Sequence, residues 1–160
     1  MSAQMEKRPS SLFNLFFFVV TTLLIGFVGG LIGGSGGYAA LEAPPLAPPG
    51  WVFPVVWTAL YILMAVAAWL VYESRDEDRI GAIRLYYFQL IVNALWTMFF
   101  FRLSWRLFAL LWLLLLIALV VLTFLRFRAI RPLAGWLLIP YLAWCIFAAY
   151  LNLGFYLLNG

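Results

Sequence analysis

Histidine is absent from the 160-residue chain, cysteine occurs once, and charge is scarce. Without imidazole there is no histidine acid–base catalysis and no histidine ligand for zinc or haem iron. The lone Cys145 excludes an internal disulfide and says little about redox compartment. Charged side chains make up 10% of the chain and hydrophobic ones 67%, where a soluble domain carries roughly a quarter charged and half apolar. That balance suits a bilayer. Carboxylates are missing from every long apolar run, which argues against an intramembrane proton relay or ion site. No metal site is expected.

What is present is long apolar sequence. Uncharged stretches cover residues 9–41, 43–72, 85–101, 107–125 and 132–160, and each can hold a span of roughly 17 to 25 residues. Backbone amides cannot go unpaired in lipid, so a span is a helix or part of a closed barrel. Barrel strands alternate polar and apolar residues, which continuous runs do not. The sequence therefore predicts an all-α integral membrane bundle of five transmembrane helices, at about 12–34, 51–72, 84–102, 105–125 and 134–158, forming one domain over 1–160.

The formal charge of +4 sits in the connections between these helices, so it does not point to nucleic acid. Lys7, Arg8, Arg75, Arg79, Arg84, Arg126, Arg128 and Arg131 fall on one side, Arg102 and Arg106 on the other. Basic residues favour the cytoplasm, which predicts a cytoplasmic N-terminus and an outside C-terminus. Lys7 and Arg8 before an apolar run also have the form of a secretory leader, with "YAA" at 38–40 as a cleavage region. The run exceeds the roughly 7 to 15 residues of a leader's apolar core, which favours a span.

The first helix ends in "GFVGGLIGGSGG", residues 26–37, where Gly26 and Gly30, Gly29 and Gly33, and Gly30 and Gly34 stand four apart. Such spacing lets helix backbones approach closely. It reads as packing on neighbouring helices, with a homodimer seam as the alternative. The segment 35–50 follows, "SGGYAALEAPPLAPPG", and its four prolines make it a stiff non-helical connector or a lid. The charges of "ESRDEDR" at 73–79 read as solvation of a turn.

Aromatic and amide side chains are placed inside the spans. Phe53, Trp57 and Tyr61 are four apart and share a face of the second helix. Gln89, Asn93, Trp96 and Thr97 do the same on the third, and Trp144, Ala148 and Asn152, with Tyr141 beside them, on the fifth. Trp51, Trp69, Trp105 and Trp136 lie near helix ends and read as interface anchors. Trp57, Trp96 and Trp144 lie deeper, where a flat guest would gain roughly 0.5–1.5 kcal/mol per stacked aromatic pair. The competing reading of each stripe is ordinary helix packing.

The stretches "PPGWVFPVVWTALY" at 48–61, "YYFQLIVNALWTMFF" at 86–100 and "WLLIPYLAWCIFAAYLN" at 136–152 resemble the tryptophan-rich sensory protein family, also called translocator or peripheral benzodiazepine receptor proteins. The similarity runs from Tyr38 to Asn152 in order and spacing. It implies a five-helix bundle, usually dimeric, that binds porphyrins such as protoporphyrin IX between its helices under the first loop, as ligand rather than as required cofactor. Some members also take sterols and benzodiazepine-type drugs. By motif, Trp57, Asn93, Trp96, Trp144 and Ala148 match pocket positions, Tyr38 the tyrosine opening the loop, and Pro49 the second proline of its "PP".

Three positions depart from the family pattern, Gly37 before Tyr38, Ala43 for a lysine and Leu46 for a tryptophan, which puts lid contacts with a ligand in doubt. No basic residue follows Tyr156, so the sterol pattern of the last helix is not met. The leading expectation is a membrane receptor, sensor or carrier of tetrapyrroles. The alternatives are light- and oxygen-dependent porphyrin breakdown, with Trp57 and Trp144 as redox-active rings, and a structural scaffold acting through the glycine face.

Overall fold

A computed structural model describes residues 11–34 and 37–160; Lys7 and Arg8, with Ser35 and Gly36 of the first connection, lie outside the described residues. The helices are α1 Ser11–Gly33, α2 Val52–Tyr72, α3 Arg79–Thr97, α4 Arg106–Ile130, α5 Pro132–Leu137 and α6 Ile139–Asn159. A 3₁₀ turn spans Tyr38–Ala40, and α3 runs on into a π turn at Met98–Arg102. No strand occurs among the described residues. Among the described residues, four segments are long and apolar enough to cross a membrane: α1, α2, α4 and the pair α5–α6. In α3, Arg84, Gln89 and Asn93 dilute the apolar run.

Three boundaries differ from the sequence reading. The third helix starts at Arg79 rather than near 84, so Arg79 and Arg84 belong to its first two turns. Long basic stems lie along a helix while their heads reach water, so charge near an end does not stop it. The fourth helix runs on to Ile130 and carries Arg126 and Arg128; the Arg128 guanidinium lies 5.5 Å from the Trp136 ring centroid. The fifth helix breaks at Leu138. Pro140 has no N–H for the Trp136 carbonyl and its ring crowds that carbonyl, which parts α5 from α6.

Around the bundle α1 packs on α2 and α3, α3 on α4, α4 on α5 and α6, and α5 closes back against α2. Buried Met64, Tyr86, Leu113, Phe127 and Phe155 fill the centre. The exterior carries Phe16, Leu24, Leu111 and Leu157, each more than half exposed. So much exposed apolar surface is rare on a water-soluble monomer.

Glycine sets how α1 seats. A Cβ added at Gly29 would lie 3.0 Å from the Ala94 Cα, and one at Gly33 2.9 Å from the Thr97 Cβ. At Gly26 it would strike the Tyr61 ring, whereas at Gly30 nothing lies within 4 Å. Gly26, Gly29 and Gly33 thus pack on α2 and α3, while Gly30 faces open space. Gly29→Val should therefore cost about 1–3 kcal/mol of overpacking, and Gly30→Ala should be neutral or stabilise by up to about 1 kcal/mol. Thermal unfolding of the two variants in one detergent checks the contrast.

Candidate functional site

A hollow of about 510 Å³ opens between α1, α2 and α3. Trp57, Thr58 and Tyr61 reach it from α2, Asn93 and Thr97 from α3, and Gly26 and Gly30 leave room for it on α1. A second hollow of about 460 Å³ lies nearer the first loop, bounded by Tyr38, Phe53, Trp57, Trp96 and Phe101. Gly30, Pro54, Trp57 and Thr97 line both, so the two adjoin. Each lies within the roughly 300–1,000 Å³ of small-molecule sites. The Trp57 and Tyr61 rings stack at 5.5 Å with 28° between planes, giving the shared wall a flat aromatic surface.

One connected chain of polar groups starts at this wall. The Tyr61 hydroxyl donates to Asn93 Oδ1 at 3.1 Å, Asn93 Nδ2 donates to the Tyr141 hydroxyl at 3.0 Å, and that hydroxyl donates to Gln89 Oε1 at 2.8 Å. Asn93, Tyr141 and Gln89 are buried. Beside it, Thr97 Oγ1 donates to the Gly29 carbonyl at 2.6 Å, tying α3 to α1 at the cavity floor.

The ten candidate residues divide. Trp57, Tyr61 and Asn93 line the first hollow, and Tyr38, Phe53, Trp57 and Trp96 the second. The Trp96 indole is buried, and its N–H donates to Asn152 Oδ1 at 3.1 Å. Ala148 borders a remnant of about 20 Å³ with Tyr38, Phe53 and Phe155, room for about one water. Tyr141 stands behind Trp57, its ring 6.1 Å away. Trp144 lines none of these spaces; it packs on Phe53 at 6.0 Å and Phe147 at 5.4 Å, with a buried Nε1 that has no hydrogen-bond partner. Pro49 is exposed. No aromatic or amide stripe marks the α1 wall, because glycine offers a side-chain pattern nothing to read; its four-residue spacing is the available signal.

The loop above is held by α6. Asn159 Oδ1 accepts from the Glu42 N–H and its Nδ2 donates to the Glu42 carbonyl, both at 2.9 Å. The Tyr150 hydroxyl donates to the Pro45 carbonyl at 2.7 Å. Buried Pro44 sits on Gly154, where a Cβ would come within 2.5 Å of the proline Cβ. Tyr38 packs edge-on to Phe53 and Phe155 and donates to the Pro48 carbonyl at 2.8 Å. Burial pushes its phenol above the ordinary value of 10.0, so it remains a neutral donor at neutral pH.

The model of the TspO/MBR family matches residues 17–157. The chain is 37% identical over 143 residues to the tryptophan-rich protein TspO of Chlorobaculum tepidum, covering 86% of this chain and 90% of that protein. It is 36% identical over 115 residues to the tryptophan-rich sensory protein of Cereibacter sphaeroides, 72% of each. It is also 36% identical over 118 residues to the translocator protein of Homo sapiens, covering 72% of this chain and 70% of that one.

Two side-chain atoms of Asn159 thus do for the loop what a strand partner does in a sheet. Asn159→Ala should speed hydrogen exchange at the Glu42 amide roughly fivefold, the loss of about 1 kcal/mol. Exchange within α2 and α3 should be unchanged, which hydrogen–deuterium exchange with peptide resolution reads directly.

Proposed function

The chain belongs to the TspO/MBR family, and from that premise we propose that this multi-pass integral membrane protein is a five-span receptor, sensor or carrier holding a flat tetrapyrrole of the protoporphyrin type in the paired hollows between α1, α2 and α3. The observation that carries the reading is the stacked Trp57–Tyr61 wall facing a cavity of about 510 Å³ that Asn93 and Thr97 also line. A planar macrocycle matches such a wall in shape, and edge amides give it orientation. Tyr38, Phe53 and Trp96 extend the same apolar surface toward the loop. Binding needs no metal and no cofactor, since stacking and hydrogen bonding hold a metal-free ring.

The reading sets α3 in the bilayer as the fifth span, with Arg79 and Arg84 reaching the headgroups from its first turns. Arg75, Arg126, Arg128 and Arg131 fall at the same end, while Arg102 and Arg106 fall near the loop. That bias supports a cytoplasmic N-terminus, an outside C-terminus and a loop outside. The family reading also carries a homodimer.

Titrating purified protein with protoporphyrin IX and following indole quenching tests the proposal. Trp57→Leu should raise Kd roughly three- to tenfold, the equivalent of one lost stacking contact. Trp144→Phe keeps a ring against Phe53 and should change Kd by less than about twofold. Unaltered affinity in Trp57→Leu would remove the cavity assignment.

A further inference from the structure

The polar chain behind Trp57 ends on a donor with nowhere to go. Every hydrogen in it points away from the cavity, from Tyr61 to Asn93, from Asn93 to Tyr141, and from Tyr141 to Gln89. The last link leaves Gln89 Nε2 buried in the bundle with no hydrogen-bond partner. Buried N–H groups without acceptors are rarer and costlier than carbonyls without donors.

An amide's oxygen and nitrogen occupy nearly the same space, so turning Gln89 and Asn93 over keeps all three contacts at the same separations with the donor sense reversed. Gln89 Nε2 then donates to the Tyr141 hydroxyl, that hydroxyl to Asn93 Oδ1, and Asn93 Nδ2 to the Tyr61 oxygen. One of the two orphaned Gln89 N–H hydrogens thereby gains an acceptor in the dry core, and the hydrogen released at the other end of the chain is that of the Tyr61 O–H, on a residue that lines the hollow of about 510 Å³. There a guest can supply the acceptor.

We propose that Gln89, Tyr141 and Asn93 act as a reversible amide relay that sets Tyr61 as the cavity's hydrogen-bond donor, so that the site selects flat apolar molecules bearing an acceptor oxygen, a carbonyl or carboxylate, on the edge that meets Tyr61. Gln89 touches neither hollow; it acts through Tyr141 as a positioning residue. The relay rests on the tetrapyrrole reading for the shape of its guest and adds which edge chemistry that guest must carry. The Trp57 ring, stacked on Tyr61 and edge-on to Tyr141, holds both phenols in register with the chain.

Two uncharged porphyrins of like shape separate the outcomes: protoporphyrin IX dimethyl ester, which has carbonyl acceptors, and etioporphyrin, which carries alkyl groups alone. The full-length protein in detergent should bind the ester roughly three- to tenfold more tightly, one hydrogen bond's worth. Tyr61→Phe should erase that preference by weakening the ester alone. Gln89→Leu removes the acceptor that competes for the Tyr141 hydrogen, so it should keep the preference or sharpen it; a merely structural role for Gln89 would instead weaken both porphyrins. The relay is overturned if Tyr61→Phe weakens both by the same factor or leaves the ester unchanged, if the wild type binds both equally, or if Gln89→Leu abolishes the preference. In these cases binding of both porphyrins by the wild type leaves the tetrapyrrole reading standing, whereas binding of neither removes the two together.

Discussion

The close approach of α1 to α3 is the constraint from which the site follows. Gly29 lies against the Ala94 backbone and Gly33 against Thr97, and the Thr97 hydroxyl bridges to the Gly29 carbonyl at 2.6 Å. In lipid, where apolar burial offers little drive between helices, such backbone proximity and a carbonyl-directed hydrogen bond are what hold two helices together. Fixing α1 on α3 at this level has a geometric consequence. Gly26, one turn away from Gly29 toward the helix start, receives the Tyr61 ring, and Gly30 is turned sideways with nothing against it. The hollow exists because the glycines that touch α2 and α3 and the glycine that touches nothing alternate along one short stretch.

Polar groups inside the bundle follow the same economy of partners. Trp96 ends on Asn152, whose Nδ2 in turn donates to the Arg106 carbonyl at 2.8 Å, a carbonyl in the first turn of α4. Thr22 and Tyr86, and Thr21 and Tyr87, pair at 2.6 and 2.7 Å between α1 and α3. Each of these ties one helix to another. The Tyr61 chain differs in joining α2, α3 and α6 and in reaching the cavity at one end, which is why its sense of donation matters and theirs does not.

The apolar runs made most of the helical layout legible, because a run of uncharged residues of span length has few other structures open to it. The start of α3 was hidden by Arg79 and Arg84, whose charges look like loop in a sequence and sit on helix in space. Pro140 was visible, yet its effect depends on whether neighbouring contacts hold the chain straight across it. At one point the stripes spread apart for a reason of angle. Residues four apart advance about 40° beyond a full turn, so the ends of an eight-residue stripe differ by about 80°. On α2 that drift spreads Phe53 to the second hollow and Tyr61 to the first, with Trp57 between them in both. On α6 it keeps Ala148 and Asn152 in the core and rotates Trp144 toward Phe53.

Height along α6 separates the residue that holds the loop from the one that faces the core, since Asn152 and Asn159, seven apart, share nearly one face while Asn159 ends the helix. Asn152 faces inward to Trp96, whereas Asn159 and Tyr150 emerge where α6 meets the loop and hold Glu42 and Pro45. Leu46, at φ 67, sits in the left-handed region that leucine adopts at a cost of about 1–3 kcal/mol, and it is 82% exposed. A strained, outward leucine adds nothing to closure, so the loop stays down through its contacts with α6, the seat of Pro44 on Gly154 among them. Lifting it requires breaking the Asn159 pair, the Tyr150 bond and the seat of Pro44 on Gly154. At the side of the hollow, exposed Gly30, Pro54 and Thr58 meet no such restraint, since the Thr58 hydroxyl turns back to its own helix at the Pro54 carbonyl. The enclosure is therefore tied down at its capped end and open at Gly30, Pro54 and Thr58, and added bulk on α1 at Gly30 narrows the cavity without loosening the cap.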